Sequence, residues 1–311
     1  MSDTPPRSTT GSSESTGSTG STGSTTADRL VAIARKEFRD GIRSDALRVV
    51  FGLVIASTVL IYWAIGRSAE PGVLSAVGFL GLPFQLLVPV AAIALGTVSV
   101  AGERAAGSLR LLLGLPPSRT EVVVGTFLGA SAVLFAGLAG AFVVAVASGL
   151  AVFGTVAVGP LAGVVAATAL LGVAFLGLSV GLSAAVSTTR RAMAAGFGGF
   201  LGLTFLWEPL VAGVSYLVSG SLPGGDPPAW FLALDRTNPI EAYAVVANMA
   251  GDVGVTPLRI SVGLGGGSAA EGAGAAAPLV LAEPLSIVVL CGWVAIPLAV
   301  GIRRFRRSDL T

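Results

Sequence analysis

The sequence predicts an all-α polytopic membrane protein: a bundle of six transmembrane helices, preceded by an N-terminal amphipathic helix at the membrane interface. Three observations predict it. Hydrophobic residues make up 53% of the chain and charged residues 12%, against about 25% charged in an average soluble domain. Six apolar runs, at about 47–65, 76–100, 121–148, 160–186, 193–218 and 284–302, are long enough at about 1.5 Å per residue to cross a hydrocarbon core of about 30 Å. Arginines gather at the ends of those runs rather than on a soluble face, as topology signals do. The runs are continuous, not short and alternating, which excludes a β-barrel.

Composition also removes whole classes of chemistry. Histidine is absent, so histidine-based metal sites, Ser-His-Asp or Cys-His catalysis and histidine-ligated haem are excluded. One cysteine, Cys291, permits no intrachain disulfide. No catalytic residue and no metal-ligand set emerges, and the distribution of basic residues argues against a nucleic-acid partner.

Residues 1–27 are a Ser/Thr/Gly tract, expected to stay disordered because it has too little apolar surface to offset its ordering entropy. The membrane domain is expected to fill residues 28–307. Ahead of the first span, "RLVAIARKEFRDGIRSDALRVV" places Val31, Ala34, Phe38, Ile42, Ala46 and Val49 at helical spacing, with Arg35, Lys36, Arg39 and Arg43 elsewhere on the wheel. Such a helix would lie in the interface, Phe38 and Ile42 towards lipid tails, Arg39 and Arg43 among headgroups. The alternative is a basic flank that only sets orientation.

The many Gly and Ala residues inside the spans, as in "FAGLAGAF" and "GFGGFLGL", suit close helix packing in lipid. With both termini in the cytoplasm, sixteen of the 19 Lys and Arg residues lie inside, leaving Arg67, Arg236 and Arg259 outside. The positive-inside rule therefore favours that topology.

Between the second and third spans lies the charged island "AGERAAGSLRLLLGLPPSRTEV", holding Glu103, Arg104, Arg110, Arg119 and Glu121. Two spans can be joined by far fewer residues. Leu109, Leu112 and Leu113 form one helical stripe, and the Pro116–Pro117–Ser118 turn ends it because proline cannot continue a helix. A short cytoplasmic helix that a partner grips and a solvated connecting hairpin fit this spacing equally well.

Other polar positions in and after the spans are open to two readings. Glu208 in "FLWEPL" falls about 22 Å into the fifth span, where a carboxylate is costly and usually functional; Trp207 and Pro209 equally suit an interfacial boundary or a helix break. It has no evident intramembrane partner. Pro83, Gln85 and Pro89 of the second span either kink it around a pathway or are absorbed by neighbours. The outer segment, 219–283, carries six acidic residues. Its middle, "NPIEAYAVVANMAG", suits an amphipathic helix on or dipping into the outer membrane face, with a substrate lid as the alternative reading. A plain solvated loop is the favoured expectation.

The stretch "AGERAAGSLRLLLGLPPSRTEVVVGTFLG" resembles the signature of ABC-2 type transporter permeases: a Glu, a Gly followed by Thr or Ser, a Leu-rich segment, and a Pro-Ser-Arg turn before the third span. Ser108 stands where Thr is commoner, and Thr126 where the family often has Lys. Asn238, Pro239 and Ala242–Tyr243 in "DRTNPIEAYAVV" look like the Asn-Pro element of permeases of the nitrous-oxide-reductase maturation type. The resemblance covers about residues 29–307. It implies that the loop is a coupling helix docking in a cytoplasmic ATPase, through Glu103, Arg104, Gly107, Ser108, Leu109, Arg110, Leu112, Pro116, Ser118 and Arg119. Glu208, with the Asn238–Pro239 element, makes up the candidate pathway or outer-gate residues.

The ATPase would be a separate chain, since the lone Lys36 has no glycine run before it and cannot form a P-loop. The expected protein is thus the permease subunit of an exporter, not itself an enzyme, with ATP and magnesium bound by its partner and no cofactor of its own. Expected partners are an ATP-binding subunit, a second copy or a second permease, and membrane lipids. The expected location is a prokaryotic plasma membrane. The competing class is an ATP-independent secondary transporter or channel.

Overall fold

A computed structural model describes residues 25–105, 118–186, 188–220, 222, 228–259 and 282–307. Among these residues the secondary structure is helical, with no strand. Six helices or helix pairs are long and apolar enough to cross a membrane: Asp45–Gly66, Val73–Thr97, Arg119–Phe153, Val158–Ala185, Thr189–Ser219 and Glu283–Arg307. These match the six expected runs. Of the Ser/Thr/Gly tract only 25–27 are described, and there Thr25 already caps a helix.

That first helix, α1 (Thr26–Arg43), starts at a reciprocal cap. The Thr25 hydroxyl accepts from the Asp28 N–H at 3.2 Å, and the Thr25 N–H donates to the Asp28 carboxylate at 3.0 Å. Ser44, in extended conformation, separates it from α2 (Asp45–Gly66). The expected stripe from Val31 to Val49 is therefore divided, and Ala46 and Val49 belong to the first span. Against the protein α1 turns only one edge of that stripe and leaves the other exposed. Leu30, Ile33, Ala34, Glu37, Phe38 and Gly41 are wholly or partly buried, whereas Val31 and Ile42 are exposed.

The reason lies in α5 (Arg119–Phe153), whose Gly125 and Gly129 form a strip without side chains. A Cβ at 125 would stand 2.8 Å from Ile33, and one at 129 would stand 2.6 Å from the Glu37 Cβ. The two helices meet backbone to backbone, as small residues four apart allow. Val31 and Ile42 then flank this contact. At 35 residues α5 is about 52 Å long, some 20 Å more than a hydrocarbon core requires.

The second span is α3 (Val73–Phe79) followed by α4 (Gly81–Ala105). Beside it α6 (Val158–Ala185) forms the centre of the bundle. Hydroxyls of α6 cross to α4, Ser179 donating to the Ala92 carbonyl at 3.1 Å and Ser183 to the Thr97 carbonyl at 3.2 Å. On its other side Gly177 and Gly181 admit the backbone of α11 (Glu283–Arg307) around Val294 and Pro297.

The fifth span is interrupted. It runs as α7 (Thr189–Leu201), a π-helical turn Gly202–Leu206, and α8 (Trp207–Ser219). Pro209 explains the turn: it has no N–H for the preceding turn and its ring crowds the carbonyl four residues back, and a widened turn absorbs both.

Two shorter helices, α9 (Ala229–Asp235) and α10 (Pro239–Asn248), fold over the end of the bundle away from α1. Here the solvated-loop expectation is overturned. Ile240, Glu241, Ala242, Tyr243, Ala244, Val245 and Ala247 are buried, and α10 packs among α6, α11 and α4. Its apolar residues lie all round the helix, which requires burial on every side. The bundle thus has a basic end, carrying α1 and the start of α5, and a cap end, carrying α9 and α10.

Candidate functional site

At the basic end the described residues form the base of the charged island. Glu103 and Arg104 belong to the last turn of α4; Gly107, Ser108, Leu109, Arg110, Leu112 and Pro116 lie outside the described residues. Ser118 caps α5: its hydroxyl accepts from the Glu121 N–H at 3.2 Å, while the Ser118 N–H donates to the Glu121 carboxylate at 2.7 Å. The same carboxylate pairs with Arg29 of α1 at 3.0 Å.

Arg119 turns the other way. Its Nη1 donates to the Phe305 carbonyl at 2.6 Å and the Arg306 carbonyl at 3.3 Å, and its guanidinium lies 5.5 Å from the centre of the Phe305 ring. A cation on the terminal carbonyls of a helix satisfies acceptors that have no intrahelical donor. The exit of the island is thus fastened to α1 through Glu121 and to α11 through Arg119. Of the interface-helix residues, Phe38 faces the protein, whereas Arg39, Ile42 and Arg43 are exposed.

The cap end is organised around Arg259. After α10 the chain runs without regular secondary structure through 252–259, turning at Gly254 (φ 72°), with Val253, Val255 and Pro257 buried and the residues between them exposed. Two amide side chains hold it as a neighbouring strand would. Asn248 donates to the Val255 carbonyl at 2.9 Å and accepts from its N–H at 3.0 Å. Gln85 of α4 donates to the Thr256 carbonyl at 3.0 Å and accepts from the Leu258 N–H at 2.8 Å. Gln85, for which a pathway kink was one reading, is thereby placed in a tertiary contact.

These stitches deliver Arg259 to three carboxylates. Its Nε lies 3.4 Å from Glu208 of α8, and its Nη1 lies 3.3 Å from Asp235 of α9 and 3.0 Å from Glu241 of α10. The acidic side chains are 2–4% exposed and the arginine 13%. Glu208 therefore does not stand alone, and burial places it inside the protein, not at a lipid boundary. Burial, and secondly the neighbouring Asp235 carboxylate, push Glu241 well above the usual carboxylate range. Burial also raises Asp235, against the pull of Arg259.

Asn238 joins the same region to the fifth span. Its side-chain oxygen accepts from the Ile240 N–H at 2.8 Å, capping α10, and its amide donates to the Leu203 carbonyl inside the π turn at 2.7 Å. Pro239 follows at the first helical position, where its missing N–H costs nothing. The structure thus brings Glu208, Asn238 and Pro239 into one neighbourhood. Arg259, Asp235 and Glu241 were not singled out from sequence. The available signal was that a carboxylate within a span needs a cation, and the expected outer segments offered three.

The sequence matches the family described as ABC-2 family transporter protein over residues 31–310. It is also similar to "Probable ABC transporter permease protein NosY" of Pseudomonas aeruginosa, 28% identical over 290 residues that cover 89% of this chain and 98% of that protein. The protein of the same name from Stutzerimonas stutzeri is 27% identical over 291 residues, covering 88% of this chain and 97% of the relative. A six-span helical bundle, matched by the family along nearly all its length, leads to one assignment: the chain belongs to the ABC-2 family of transporter proteins.

Proposed function

We propose that the chain is the membrane-spanning permease subunit of an ATP-binding cassette exporter, driven by ATP hydrolysis on a separate subunit. The observation that carries this reading is the family match across residues 31–310, over a bundle with six candidate spans. Both similar proteins are named as ABC transporter permeases. In this reading the basic end is cytoplasmic, both termini lie inside a prokaryotic plasma membrane, and ATP with magnesium binds to the partner. The chain itself holds no cofactor.

The island from Glu103 to Arg119 acts as the coupling helix. ATP-driven closure of two nucleotide-binding subunits draws the coupling helices of two permeases together, whether two copies of this chain or this chain and a relative. Ser118 and Glu121 give the exit of the lever a stiff footing, and Arg119 passes its displacement to α11. The six-span bundles then rock between inward-facing and outward-facing states, or open a lateral path for a lipid-like cargo. Arg39 and Arg43 hold α1 at the lipid headgroups, with Ile42 beside them. Glu208, Asn238 and Pro239 belong to the outer gate.

A second reading, an ATP-independent secondary transporter or channel, draws on the buried Glu208–Arg259 pair. That pair is completed by α9 and α10 rather than by charges on other spans, which suits a closure better than a relay through the bundle. Purification from native membranes separates the two. An ATP-binding subunit should accompany the chain, and Glu103→Lys or Arg110→Glu should weaken that association while the bundle stays folded. Transport by the chain alone in ATP-free vesicles would overturn the proposal.

A further inference from the structure

Arg259 offers one positive charge to three buried carboxyls contributed by α8, α9 and α10. The other charged groups near them, among the described residues, are Arg236 and Glu283, with Arg236 acting on both Glu241 and Glu283. The segment Val158–Ala185 of α6 and the described side chains of α4 carry no charge. Three carboxyls around one guanidinium, with water excluded, repel one another more than that guanidinium compensates, which favours the protonated form of Asp235 and Glu241, the two that lie outside the spans. One oxygen of Asp235, Oδ1, is buried without a hydrogen-bond donor, as suits a carboxyl whose full charge is poorly accommodated.

We propose that Asp235 and Glu241, held with Glu208 around Arg259, form a proton-binding latch, which fastens the segment 252–259 to the bundle while one of these two carboxyls keeps its proton and loosens it when that proton leaves. The released proton passes to water, and no other bond changes. What the latch holds is narrow: apart from Arg259, the polar fastenings of this segment are the Asn248 and Gln85 amides. Its loosening uncovers Val253 and Val255, which lie against Gly78 and Gly81.

The direction follows from linkage. Burial and neighbouring carboxylates hold Glu241 at about 8 in the closed state, and burial holds Asp235 at about 6. Solvated carboxyls titrate at about 4. Between these limits the closed state binds more protons than the open one, so closure is complete at low pH and is lost as pH rises through about 8. Neither the ATPase nor the membrane orientation enters this proton balance.

The test uses the full chain in detergent with Cys291→Ser and Val253→Cys. Maleimide modification is followed from about pH 5 to about pH 9, and each rate is divided by that of the same chain unfolded in denaturant at that pH, which removes thiolate chemistry. The normalised rate should climb by up to about tenfold per pH unit for each proton released, most steeply below about pH 6 where both Asp235 and Glu241 contribute, and level off above about pH 8. Glu241→Gln and Asp235→Asn, which keep the shape but remove a negative charge, should hold the rate low and flatten its pH dependence. A flat profile in the otherwise unaltered chain, or an unchanged slope in both variants, overturns the proposal. If one variant fails to fold, the titration and the other variant still decide it, and Val255→Cys provides a second reporter.

Discussion

The two ends of this molecule use charge in opposite ways. At the basic end Arg35, Lys36, Arg39 and Arg43 stand exposed along α1, and even the ion pair to α5 keeps Arg29 30% exposed. At the cap end Glu208, Asp235 and Glu241 are at most 4% exposed, and their attachments are to the protein itself. Exposed charge is screened by water and stabilises the fold little, yet it is free to meet headgroups or a partner. Buried charge is costly to desolvate and tolerates no missing partner, which makes it suited to holding one closed arrangement. The first end is built for contact, the second for closure.

The contrast breaks most visibly if Arg259 is removed. Arg259→Ala leaves three carboxyls around a vacated cation and should cost about 3–5 kcal/mol, read as a lowered unfolding midpoint in detergent at neutral pH. Asn238→Ala should cost about 2 kcal/mol, one half from the lost cap of α10 and the other from the bond to the Leu203 carbonyl. At the opposite end Ser118→Ala should cost about 1 kcal/mol, since one cap of a long helix is lost. The smallest effect belongs to Arg39→Ala, within about 0.5 kcal/mol in the same melt. Its consequence should appear instead as a smaller preference of the detergent-purified protein for anionic over neutral lipid when both are offered in mixed micelles. If Arg39→Ala destabilises as much as Arg259→Ala, the contrast between the two ends fails.

The spans were legible because lipid demands long apolar runs, and each expected run has its helix within a few residues. The N-terminal helix was legible as a helix with an apolar stripe. The Gly125–Gly129 strip that seats one edge of that stripe, with Ala34 and Phe38, against the protein lies some ninety residues on, and no local period points to it. The cap end was hidden for a similar reason. Asp235, Glu241 and Arg259 read as ordinary polar residues of a long outer segment until Gln85 and Asn248 bring that segment back. Asn238 was visible through its motif, but not that it caps one helix while gripping the widened turn of another. Long-range pairing is what sequence spacing does not carry; local period and capping chemistry are what it does.

In the proposed orientation the basic end faces the cell interior, where a separate ATPase reaches the island between the second and third spans. Cysteines placed at Arg110 and at exposed Asp252, each in a Cys291→Ser background, test it directly with a membrane-impermeant maleimide on intact cells. Asp252→Cys should be labelled from outside, and Arg110→Cys only after the membrane is opened. Labelling of Arg110→Cys in intact cells would put the island out of reach of any cytoplasmic motor and contradict the account.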